Sequence, residues 1–145
     1  MAKLTLKAAK QAIGIGTFVE KEVSFRDKDG VEFRGEILIK IASHDDIANA
    51  PDVWQLKKKE DLTLDQLRKS LVFQVVYEDQ KKKFFSEISD TGTVSTELID
   101  AMYTAADEVL DFSGKNWISK KKTSSSVSSS LTELEEEQLP KPEEI

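Results

Sequence analysis

The chain has 145 residues, with 21 Lys and Arg against 27 Asp and Glu, a formal net charge of -6, one histidine and no cysteine. That length holds one ordinary core, and an acidic balance without a basic stripe argues against nucleic acid or an anionic membrane as partner. The lack of cysteine removes disulfides and thiolate metal sites, which suits a cytoplasmic protein. No window reaches the roughly 18 apolar residues of a spanning helix, and the first residues lack the features of a signal peptide.

Thr5 to Ile13 reads as a short helix, favoured by Ala8, Ala9 and Ala12 and ended by Gly14 and Gly16. From Thr17 to Arg26, Val19, Val23 and Phe25 fall at alternate positions, interrupted at Lys21. From Val31 to Ile41, residues Val31, Phe33, Ile37, Ile39 and Ile41 do the same. A period of two marks half-buried strands, and the link Asp27-Lys28-Asp29-Gly30 offers a glycine for a positive φ. The expectation is an antiparallel hairpin with one wet face.

Ser43 to Glu60 reads as a loop carrying Pro51 and a charge cluster. Thr63-Leu64-Asp65-Gln66 then matches a capping box, with Leu62 and Leu67 placed as a hydrophobic staple, so a helix starts at Leu64. Leu64, Leu67 and Leu71 keep helical spacing, while Val72, Phe73, Val75, Val76 and Tyr77 favour a strand. The expected helix therefore runs to about Ser70, followed by an extended run to Tyr77. In the last helix Ser95 is the cap and Glu97 suits the positive end. Leu98, Ile99, Met102, Tyr103, Ala106, Val109 and Leu110 form its apolar stripe, and Gly114 ends it beside Lys115. The sum is an α+β body over residues 1–118, a hairpin or small antiparallel sheet packed with about three helices.

Residues 119–145 differ in kind: a lysine triplet at Lys120 to Lys122, a serine-rich stretch, a glutamate-rich stretch, then Pro140 and Pro142. Such a composition buries too little apolar surface to offset the entropy of ordering, so a disordered tail is expected. Within it Ser130-Leu131-Thr132-Glu133 is a capping box, and Leu131, Leu134 and Leu139 lie near one face of a helix that Pro140 stops. About eight or nine residues are too few for an isolated helix, so it is expected only against a partner. Leu131, Leu134 and Leu139, with Trp117 at the boundary, are the candidate partner-binding residues. Trp117 has two readings, a clamp of helix to body or a ring offered to a partner. Trp54 has two as well, an interface anchor or a core ring beside Val53 and Leu56.

Chemistry finds little purchase. His44 precedes Asp45 and Asp46, but adjacent residues on one loop rarely converge on an ion and no second histidine completes a set. Gly14-Ile15-Gly16 lacks the third glycine and the strand-before-helix setting of a phosphate loop, and reads as a turn. The triplets Lys57 to Lys59 and Lys81 to Lys83 are flanked by acids and read as solvated charge, with Phe84 and Phe85 as core. The Glu87 to Asp90 carboxylates have nothing around them to separate their pKa values, and neither a Ser/His/Asp set nor a cysteine nucleophile can be assembled. The expectation is a protein that is not an enzyme, with no catalytic, metal or cofactor site and no small-molecule substrate.

Five stretches, Thr17 to Phe25 with Gly35 to Lys40, Leu71 to Asp79 with Phe84-Phe85, and the helix leading to Gly114-Lys115-Asn116, together resemble the tail assembly chaperones of long-tailed bacteriophages. Where members often carry a glycine after the acidic pair, this chain has Gln80, so a different turn is expected there. The resemblance implies a non-catalytic protein of the host cytoplasm, absent from the mature virion. It would coat the tape measure protein and help recruit tail tube protein, with homo-oligomers possible. It also implies the first product of a frameshifting gene, and Lys120 to Lys122 suit an A-rich slippery run. The expected client surface is the wet face of the hairpin or the groove between the hairpin and the last helix. The alternatives are a structural phage tail or connector subunit and a small acidic host adaptor.

Overall fold

The computed structural model describes residues 3–112. The chain divides after Leu110, and the elements below belong to its first part. The fold is α+β: a four-stranded antiparallel sheet in the order β1-β2-β3-β4, with helices.

Strands β1 (Phe18–Arg26) and β2 (Glu32–Lys40) form the expected hairpin, in register from Phe18 opposite Lys40 to Arg26 opposite Glu32. The turn is made by side-chain chemistry as well as by glycine. Asp27 Oδ1 accepts the N–H groups of Asp29 at 2.9 Å and Val31 at 3.0 Å, while Gly30 sits at φ 79°. Val23, Ile37 and Ile39 are buried on one face. Lys21, the break in the period, also points to that face, where its Nζ lies 3.0 Å from Glu108. The alternation is kept, and an ion pair stands where an apolar side chain would.

Helix α1 (Leu6–Ile13) has Thr5 as its N-cap, whose hydroxyl accepts the Ala8 N–H at 3.1 Å, and Gly14 at φ 76° as its C-cap. The expected loop from Ser43 instead holds a short helix α2 (His44–Ala48) and two 3-10 turns, Ala50–Trp54 and Lys59–Asp61. Ser43 Oγ accepts the Asp46 N–H at 3.2 Å, and Asp45 and Asp46 lie in the positive first turn, so capping rather than an apolar period sets this helix.

The expected end of the third helix is corrected. Helix α3 runs Leu64–Val75, opened by a complete capping box between Thr63 and Gln66, and passes directly into β3 (Val76–Asp79). Leu71, Val72 and Val75 share one helical face and are buried, as is Val76 on the strand beyond. Burying those side chains is worth about 1.5–3 kcal/mol each, against a few tenths of a kcal/mol per residue for the β-branched penalty in a helix, so packing decides the conformation. Strand β4 (Lys82–Lys83) returns along β3. The intervening turn forms at Gln80 without a left-handed residue, because Asp79 Oδ1 accepts the Lys81 N–H at 2.7 Å.

Helix α4 (Thr96–Leu110) starts as expected, with Ser95 Oγ accepting the Leu98 N–H at 3.2 Å. Its end is corrected from Gly114 to Leu110, after which Asp111 takes φ 53° and leaves the helical path. Leu98, Ile99, Met102, Ala105 and Ala106 are buried as α4 packs on β1 and α3. Phe85 joins this core, and the two buried polar side chains are satisfied locally: Ser70 donates to the Leu67 carbonyl at 2.7 Å and Thr91 to the Ile88 carbonyl at 2.6 Å.

Candidate functional site

The largest departure from an inside-out distribution is α1. Its sequence is amphipathic and both ends are capped, yet none of its residues is buried. Leu4 and Leu6 are 76% and 72% exposed, Ile13 is 56% exposed and Ile15 43%. Leu6, Ala9 and Ile13 recur at helical spacing, so the helix presents a preformed apolar stripe to solvent. Its C-terminal turn is tied to the base of the hairpin by the Gly16 N–H, which donates to the Ile41 carbonyl at 2.8 Å.

A second apolar patch lies at the opposite end of the hairpin. Phe25 and Phe33 face each other across the strands with ring centroids 5.4 Å apart, and Phe33 and Val31 are 55% and 60% exposed. Nine residues of strand separate the two patches by about 30 Å. Periodicity assigns Val31 and Phe33 to the same face as Ile37 and Ile39; Phe33 lies there, while Val31 precedes the strand, and the core does not extend to the turn.

The wet face of the hairpin has two halves. Near the base, Phe18 packs edge-on to Tyr77 at 5.1 Å, and Lys40 Nζ lies 5.8 Å from the Tyr77 ring. Lys83 Nζ sits 4.5 Å over Phe73, and burial, then repulsion from Lys40, pulls its ammonium below the usual lysine range, with Asp46 opposing. The triplet at Lys81 to Lys83 is thus divided: Lys81 and Lys82 are solvated, while Lys83 covers an aromatic ring. Toward the turn the same face carries Glu20 and the directly opposed pair Glu22 and Glu36. Arg34 is pinned by Glu32 at 3.2 Å, and that hydrogen bond and charge raise its pKa further.

The groove between hairpin and last helix also exists, a cleft of about 370 Å³ lined by Glu22, Val23 and Ser24 of β1 and by Asp100, Ala101, Thr104, Ala105 and Glu108 of α4. Its walls are small and acidic. A more apolar cleft of about 460 Å³ lies between α2 and the 3-10 turns, walled by Ala48, Pro51, Leu56 and Leu62.

Trp54 is partly buried, and its Nε1–H donates to the Gln66 carbonyl at 2.8 Å, so it fastens the Ala50–Trp54 turn to the first turn of α3. Of its two readings the structure supports packing. Trp117, Leu131, Leu134 and Leu139 lie outside the described residues, as do Lys120 to Lys122. His44 stands exposed at the start of α2, and among the described residues no three His, Asp or Glu side chains are grouped to hold a metal ion. Gly14 to Gly16 form the turn joining α1 to β1. Among the described residues no helix is long and apolar enough to cross a membrane. No family model, no curated protein and no solved structure matches the chain.

Proposed function

We propose that the chain is a non-catalytic tail assembly chaperone of a long-tailed bacteriophage. It holds the tape measure protein in the host cytoplasm, helps recruit tail tube protein and is absent from the mature virion. The observation that carries this reading is the open apolar stripe of α1, a capped helix whose Leu6 and Ile13 are each more than half exposed. A holdase needs preformed apolar surface, and exposed apolar patches on soluble proteins mark interaction sites. The two patches at opposite ends of the hairpin suit a long helical client, which is engaged through modest, repeated contacts. The client surface assigned on this reading is the α1 stripe with the Phe33 end of the hairpin, in place of the acidic groove.

Capture of co-expressed tape measure protein tests it. The wild-type chain retains the client, whereas Leu6→Asp/Ile13→Asp, folded by circular dichroism, loses most of it. Equal capture by the two removes α1 from the interaction. Assembly of the purified chain into rings or tubes favours a structural tail subunit instead.

A further inference from the structure

β1 is the first strand in the order β1-β2-β3-β4 and forms one edge of the sheet. Ile41 donates to the Thr17 carbonyl and Asp27 to that of Val31, so in the antiparallel register the odd-numbered residues of β1 exchange hydrogen bonds with β2. The N–H and C=O groups of Phe18, Glu20, Glu22, Ser24 and Arg26 therefore point outward. At Arg26 this is seen directly: its N–H donates to Glu97 Oε1 at 3.2 Å, while its Nε holds the other carboxylate oxygen at 2.9 Å.

From Phe18 to Ser24 the outward groups have no acceptor or donor among the described residues. Edges are blunted by short length, proline, bulges or charge; this strand has nine residues, no proline and an unbroken register, and its protection is charge alone, with Lys21 turned inward and Glu20 and Glu22 outward, which admits only a partner of opposite sign. The cleft of about 370 Å³ runs beside that edge, floored by Ala101 and Ala105 of α4, which leave room for a chain.

Charge selects the occupant. Glu20, Glu22 and Glu36 stand on the wet face beside the edge, and Asp100 lies on the helix side, where Glu108 is already held by Lys21. The neighbouring cations are already engaged: Lys21 with Glu108, Arg26 with Glu97, Arg34 with Glu32. A second copy of β1 would bring Glu20 and Glu22 against their equivalents, which disfavours self-pairing. We propose that the β1 edge is a strand-addition site for an extended segment of a partner protein bearing lysine or arginine at alternate positions. Its main chain pairs with Glu20, Glu22 and Ser24, and its basic side chains meet the flanking carboxylates. This site is separate from the α1 stripe and does not depend on the chaperone reading.

Titration of the full chain with a hexapeptide of alternating lysine and valine, followed by amide NMR, tests it. The expected result is shifts concentrated at the amides of Glu20, Glu22 and Ser24, with affinity falling as salt is raised. One peptide N-methylated at its two central amides loses about tenfold or more, since each lost main-chain bond is worth about a factor of five. Glu22→Pro, which removes an outward N–H without touching the β1-β2 ladder, does the same, and Glu20→Lys/Glu22→Lys abolishes binding. No binding by the lysine-valine peptide, shifts away from β1, or equal binding of the N-methylated peptide to the wild-type chain overturns the proposal.

Discussion

Replacing Trp54 separates a structural ring from an interface anchor. Full burial of a tryptophan removes about 150–250 Å² from water, and at about 25 cal/mol per Å² a partly buried Trp54 contributes about 3 kcal/mol through its ring. Its Nε1–H bond to the Gln66 carbonyl, 2.8 Å long, adds about 1 kcal/mol net. Gln66 lies in the first turn of α3, where its carbonyl keeps an intrahelical partner in reach, so loss of the indole N–H leaves no orphaned acceptor. Trp54→Phe should therefore cost about 1 kcal/mol and Trp54→Ala, which loses both, about 4 kcal/mol. Urea unfolding followed by far-ultraviolet circular dichroism reads both without relying on tryptophan fluorescence. Destabilisation by Trp54→Ala of less than about 1 kcal/mol would refute the packing argument and return Trp54 to the candidates for partner contact.

Ile39→Ala, at a fully buried position in β2 opposite Val19 and Val76, should destabilise the fold by about 2–5 kcal/mol in the same urea assay. Thr63→Ala removes one half of the α3 capping box and should cost about 1 kcal/mol, with Gln66→Ala costing a comparable amount and the double variant less than the sum. Lys83 has a folded pKa below its unfolded value of 10.5, so the unfolded chain binds more protons between the two. Stability should rise with pH through that window, and Lys83→Met should abolish the rise. Tyr103 opposes it from about pH 10.0 upward, because burial, then Asp107, raises its phenol and the folded chain holds the proton longer, so the gain must be read below that point.

The hairpin was legible because its signal is local and repeated: alternating apolar residues and a turn with Asp27 and Gly30 whose side-chain chemistry matches its geometry. The start of α3 was legible for a similar reason, since a capping box is written in four consecutive residues. Its end was not, because Val72 and Val75 have strand propensity and only the core they enter makes them helical. Helix α2 spans about one turn, too short to show a period, and β4 consists of two lysines that become a strand through pairing with β3. The α1 helix was foreseen from its alanines and glycines, but no local pattern reveals that a capped amphipathic helix will be left undocked. The outward-facing β1 edge depends on which strand lies first in the sheet, a property of topology rather than of any segment.

The chaperone account meets its most direct test in the soluble yield of tape measure protein expressed with and without this chain. The account predicts that the client is largely insoluble alone and becomes soluble in a complex when the wild-type chain is present. A tape measure protein no more soluble with the chain than without it would contradict the account.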